Sequence, residues 1–188
     1  MVSLMSLWTP ILVSAAIVFL ASWLIHMLVG YHKADFRKMP SEDEVMEALR
    51  KFNIPPGDYM MPRPDRMEDM RSKEFMAKRE RGPVMIATVM KGGAFSMGPS
   101  LFKWFIFCIV VSTFAAYVTG RAHGAGTAYL SVFRTAGTVA FAGYALAQWP
   151  EHIWYQQSLG TTLRNTFDGL VYGLLTAGVF GWLWPRQP

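Results

Sequence analysis

The residues best equipped for chemistry in this 188-residue sequence are His26, His32, Glu151, His152 and Asp168. All five lie at or near the ends of apolar runs. If those runs cross a bilayer in chain order, the five share one depth, on one side. Imidazoles and carboxylates gathered there can coordinate a metal ion or pass a proton. The spacing includes no HExxH pattern and no local ligand pair, so any convergence depends on the fold. Polar residues also accumulate at membrane interfaces without forming a site, and no metal and no cofactor is expected.

Two other features invite a chemical reading. Ten of the 13 methionines lie in 31–100, including Met60-Met61 and Met67-x-x-Met70. Clustered thioethers suit Cu(I), but no cysteine supports them, and methionine also fills gaps at adaptable surfaces. Arg134 is the one basic residue well inside an apolar run, which makes it a candidate for an anionic ligand. It lies about 9 Å below the nearer interface and can snorkel to it, whereas the opposite interface, where Asp168 falls, is about 21 Å away. A buried Arg134–Asp168 pair is therefore not expected. There is no P-loop, no GxGxxG after a strand and no nucleophile elbow. The GRAHGAG segment at 120–126 has no strand before it and reads as a turn.

The elements that must position these residues are legible from the distribution of charge. The segment 31–100 holds 13 of the 18 Lys and Arg and 11 of the 13 Asp and Glu, while the apolar residues gather in four runs: 7–30, 101–119, 128–148 and 169–185. A soluble domain spreads its charges, because every amphipathic element needs a wet face. Segregation of this kind predicts an all-α membrane protein with four transmembrane helices and a cytoplasmic insertion. The first run, at about 36 Å, is long enough to cross a hydrocarbon core of roughly 30 Å. It is too long for a signal peptide and has no basic residue before it. Six of the seven Trp fall at or beyond run ends, as expected for interfacial rings, and Trp23 is the exception. Positive-inside asymmetry places 31–100 and the 149–167 connection in the cytoplasm and both termini outside. It also accounts for the net charge of +5 without nucleic acid. The lone Cys108 sits in an apolar run and behaves as a small hydrophobe.

Helix pairing in lipid rests on close backbone approach. Gly169, Gly173, Ala177 and Gly181 form a small-residue stripe on the fourth run. Ala136, Ala140, Gly143 and Ala147 form one on the third, and the two are expected to face each other. The other possibility is that one stripe is a homodimer seam. Within the insertion, 41–53 reads as a short helix with a Ser41/Glu44 capping box and an apolar strip of Val45, Leu49 and Phe52. Residues 65–81 read as a second helix, and 84–97 as a β-hairpin turning at Gly92-Gly93. The insertion is too poor in aromatics to be an independent domain.

The stretches HKADFRKMPSEDEVMEALRKFNIPPGDYMMP and IWYQQSLGTTLRNTFDGLVYGLLTAGVFGWLWP resemble a group of small multi-span bacterial inner-membrane proteins. The resemblance covers most of the chain and implies a bacterial inner membrane, with no activity attached. Function is thus expected to be that of a non-catalytic accessory or scaffold subunit. Its partners would be the bilayer and a protein docked on the insertion. A small oligomeric transporter, or a membrane enzyme or metal protein using the His and carboxylate residues, are the alternatives.

Overall fold

A computed structural model describes residues 1–94 and 96–186. In chain order its elements are α1 (Trp8–Leu24), α2 (Glu42–Arg50), β1 (Gly57–Met61), α3 (Lys73–Arg81), β2 (Met85–Val89), α4 (Gly98–Ala122), α5 (Tyr129–Tyr144), α6 (Trp149–Tyr155) and α7 (Leu159–Trp182). They divide into two compact units, Met1–Arg37 with Ser96–Pro188, and Lys38–Phe95.

In the first unit α1 packs on α4, α4 on α5, α5 on α7 and α7 on α1, a closed ring of four helices. Three helical stretches, Leu4–Val29, Gly98–Ala122 and Tyr129–Tyr155, are long and apolar enough to cross a membrane. Only 28% of each apolar window is buried within the protein, so most of that surface needs an apolar solvent. Helix α7 is long enough at 24 residues but is not among the three. Its glycines, threonines, Asn165 and Asp168 lower its mean hydropathy, and several of them face protein. Its start at Leu159 also lies ten residues before the run seen in the sequence, because Ser158 caps it by accepting from the Thr161 N–H.

Two apolar clusters fill the ring. One gathers Leu7, Ile11, Ala116, Val132, Ala136 and Phe180; the other gathers Ala15, Val18, Cys108, Val111, Ala140, Tyr144 and Tyr172. Between α1 and α4 the buried Ser14 and Ser112 hydroxyls lie 3.0 Å apart. At one end of the ring, Val2 N–H donates to the Gly120 carbonyl and Gly126 N–H to that of Pro185, both at 2.8 Å. The chain start, the α4–α5 turn and the chain end therefore meet there.

The stripe on α7 does lie against α5, but in a different register from the sequence expectation. A Cβ on Gly169 would fall 2.6 Å from the Ala145 Cβ, one on Gly173 would fall 3.2 Å from the Phe141 Cβ, and one on Gly137 would fall 2.9 Å from the Ala177 Cβ. Gly181 meets the Tyr129 ring. On α5 the facing residues are thus Tyr129, Gly137, Phe141 and Ala145. Ala136 and Ala140 turn inward to the clusters, Gly143 meets Val111 of α4, and Ala147 is exposed. The physical reason is that α5 carries two small-residue faces, one for α7 and one for the interior.

In the second unit, β2 pairs antiparallel with β1 in the register Gly57↔Val89 to Met61↔Met85. The expected hairpin at Gly92-Gly93 is not formed. The Pro-rich stretch before β2 supplies its partner instead, reinforced by a 2.7 Å bond from the Thr88 hydroxyl to Asp58. Phe95, in the second arm of that expected hairpin, lies outside the described residues. Ser41 adopts φ 47° and does not cap α2, so the capping box is absent. The expected helix at 65–81 splits into a 3₁₀ turn, Met67–Arg71, and α3, which Ser72 caps by accepting from the Phe75 N–H. Phe75 is the one buried apolar side chain among the unit's described residues.

Candidate functional site

The site begins with the way α1 ends. After Leu24 the helix widens into a π turn, Ile25–Val29, and stops at Gly30 in the left-handed conformation, φ 69°. Such turns recur at functional sites, and glycine takes that backbone angle without Cβ strain. The chain then tightens into a 3₁₀ turn, Tyr31–Ala34. In an unbroken helix residues 26 and 32 would stand about 9 Å apart along the axis. The reversal instead stacks their imidazoles at 4.3 Å with planes 3° apart. A local ligand pair, absent from the spacing, is made by the turn.

His32 joins two carboxylates. Its Nδ1 lies 2.6 Å from Asp35 Oδ2 and its Nε2 lies 2.8 Å from Asp168 Oδ2 on α7. Arg164, one turn earlier on α7, donates to Asp35 Oδ1 through Nε at 2.7 Å. The chain Arg164–Asp35–His32–Asp168 is largely withdrawn from solvent, with side-chain exposures of 26, 10, 11 and 5%. Burial pushes the Asp35 carboxyl up, but hydrogen bonds from His32, Arg164 and Thr161 outweigh it and hold the group below its ordinary value. His26 Nδ1 lies 2.9 Å from the Ser22 carbonyl oxygen. The Ser22 hydroxyl accepts from the indole N–H of Trp104 at 2.7 Å, which ties α1 to α4.

Asp168 and His26 open on a cavity of about 430 Å³ among α1, α4, α5 and α7. Its wall is aromatic: Tyr144 and Tyr172 meet edge to face at 5.5 Å, and Trp104 lies 6.1 Å from Tyr172 and 5.6 Å from Phe107. Three of its lining residues, Asp168, Tyr144 and Tyr172, each carry a buried side-chain oxygen, Oδ1 and the two hydroxyls, with no hydrogen-bond partner among the described residues. A buried polar atom left unpaired costs about 1–3 kcal/mol, so three among the residues of one lining set this cavity apart.

Of the residues singled out in the sequence, His26, His32 and Asp168 are brought together. Glu151 and His152 are not: both sit on α6, where the carbonyl of the exposed Glu151 accepts from the Gln157 N–H at 3.2 Å and His152 Nδ1 lies 2.7 Å from the Gln157 carbonyl oxygen. They close the turn into α7. Arg134 is exposed and lines a shallow groove between α5 and α7 with Gly137, Phe141 and Gly173. Asp168 pairs with His32 and not with Arg134. Sequence reasoning missed Asp35, Arg164, Trp104, Tyr144 and Tyr172. Only Gly30, the residue that closes the first apolar run, signals the reversal that brings Asp35 back to α7. No family model, no curated protein and no solved structure matches the chain.

Proposed function

We propose that the chain is a four-span membrane protein, with α7 as the fourth span, that binds a small amphipathic molecule in the cavity between its helices. The observation that carries this reading is that three residues lining one aromatic cavity, Asp168, Tyr144 and Tyr172, hold buried oxygens with no hydrogen-bond partner among the described residues. Ligand sites are concave, mostly apolar, and hold a few polar groups that fix orientation; volumes of about 300–1,000 Å³ are usual. The ligand's apolar body lies against Trp104 and Phe107, and its head reaches the tyrosine hydroxyls and the Asp168 end. The exposed Trp23, Met27 and Phe107 around the cavity give it an entrance from lipid.

The test uses protein extracted in mild detergent and analysed by native mass spectrometry, alongside an Ala147→Trp variant. Ala147 lines the cavity and is exposed, so an indole there fills cavity space. The reading predicts one bound amphipathic species in the wild type, enriched over bulk lipid and lost in the variant. Bulk lipid composition in both would overturn it.

A second reading, docking of a protein partner on the Lys38–Phe95 unit, is favoured by one observation. Met46, Leu49 and Phe52, on and just after α2, are all exposed. Affinity capture with Leu49→Glu and Phe52→Glu replaced together checks it: a stoichiometric partner lost on substitution supports docking, and a protein that purifies alone counts against it. The proposed location is the inner membrane, with the Lys38–Phe95 unit in the cytoplasm and both termini outside.

A further inference from the structure

We propose that His26, His32 and Asp168 form a site for a divalent first-row transition ion whose open positions face the cavity. The inference rests on the binding reading above for the use of those open positions, and on the geometry of the three side chains for the ion itself.

Each imidazole already has one nitrogen committed. The Ser22 carbonyl, 2.9 Å from His26 Nδ1, can only accept, so that nitrogen carries the proton and Nε2 keeps its lone pair. His32 Nδ1 faces the Asp35 carboxylate at 2.6 Å, and Asp35 is itself anchored by Arg164. The same reasoning puts a proton on Nδ1 and offers Nε2 to an ion. Metal-bound histidines characteristically hold their outer N–H on a backbone carbonyl or a carboxylate in this way, which fixes tautomer and ring orientation. Asp168 completes the set with its carboxylate, whose Oδ1 is buried and has no hydrogen-bond partner among the described residues. Ligand atoms of the three residues all lie within 4.8 Å of one another.

His32 Nε2 and Asp168 Oδ2 lie 2.8 Å apart, and an ion bound there takes the place of that hydrogen bond. The parallel stack of the rings puts their lone pairs in parallel planes, so one ring must tilt to share an ion. His32 is clamped from both sides. His26, exposed at the start of the π turn, is the ring that tilts. Two imidazoles with one carboxylate suit zinc, iron(II) or manganese(II) better than calcium or magnesium, which prefer all-oxygen shells. Three protein ligands leave a coordination position open, the pattern of sites that engage a ligand.

The experiment uses full-length protein in detergent, purified without a histidine tag, stripped with a chelator and titrated with Co²⁺ followed by Zn²⁺ competition. One ion per chain is expected, with visible Co²⁺ absorption that Zn²⁺ abolishes. His26→Ala, at an exposed position that leaves the fold intact, and Asp168→Asn each lower the affinity at least tenfold. Ala147→Trp keeps the ion. Absence of a stoichiometric ion in the wild type, or wild-type affinity in both His26→Ala and Asp168→Asn, would overturn the site. A cavity ligand without an ion defeats this inference and spares the binding reading. An ion without a cavity ligand does the reverse.

Discussion

At the scale of single residues, the centre is held together by partners that touch no cavity. Asp35 lies on the far side of His32 from Asp168 and acts by orienting the ring. Losing such an outer partner lowers metal affinity by about 10–100-fold. Asp35→Asn therefore weakens Zn²⁺ binding by one to two orders of magnitude in the competition titration, while native mass spectrometry still finds one folded chain. Retention of wild-type affinity would show that Asp35 is only a structural tie. A smaller effect is expected at the buried Ser14–Ser112 pair. Hydrogen bonds between helices in membranes contribute on average about 0.6 kcal/mol, and Ser14→Ala should cost that much in a detergent-unfolding measurement, because Ser14 also bonds the Pro10 carbonyl on its own helix and neither contact is irreplaceable. Much of this was hidden in the sequence. His26 and His32 stood out as residue types, but Asp35 and Arg164 read as ordinary interfacial charges, being 129 positions apart.

At the scale of elements, two devices position the site: the reversal at the end of α1 and the close seam between α5 and α7. Gly30 at φ 69° makes the reversal. A β-branched residue there meets the left-handed penalty of about 1–2 kcal/mol, so Gly30→Val should both lower the unfolding midpoint and weaken ion binding by separating His32 from His26. A drop in stability with metal affinity unchanged would show that the reversal does not set the pair. The seam is less forgiving. A side chain at Gly169 would run into the backbone of Ala145, whose N and Cα lie 2.9 Å from the ideal Cβ position. Overpacking of this kind costs about 1–3 kcal/mol, and Gly169→Val is expected in that range, several times the Ser14→Ala effect. The small-residue stripe of α7 was legible because its four positions repeat every fourth residue. Its counterpart on α5 was not. Small residues at 136, 137, 140, 143, 145 and 147 satisfy two faces at once, and only packing says that 137 and 145 meet α7. The β-sheet of the Lys38–Phe95 unit was misplaced for a related reason: Gly-Gly is a strong local turn signal, while the pairing of 57–61 with 85–89 is non-local and leaves no mark on spacing.

At the scale of the whole molecule, segregation of charge from apolarity made the helical, membrane-type character plain, and three long apolar helices carry it. The proposed topology has α7 crossing as a fourth span, despite its polar first half. It places the α4–α5 turn outside and the Lys38–Phe95 unit inside. Cys108 is buried, so single added cysteines report cleanly. Ala122→Cys should react with a membrane-impermeant maleimide on intact cells, and Met67→Cys only after lysis; the reverse pattern would invert the topology and move the centre to the outer face. The proposal that the aromatic cavity is a binding site bears on everything else. A cryo-EM map in lipid nanodiscs, at a resolution that defines side chains, tests it most directly. Elongated density is expected along Trp104 and Phe107, ending within hydrogen-bond distance of the Tyr144 and Tyr172 hydroxyls. A closed cavity, with those hydroxyls bonded to other protein groups and no density between the helices, would contradict it.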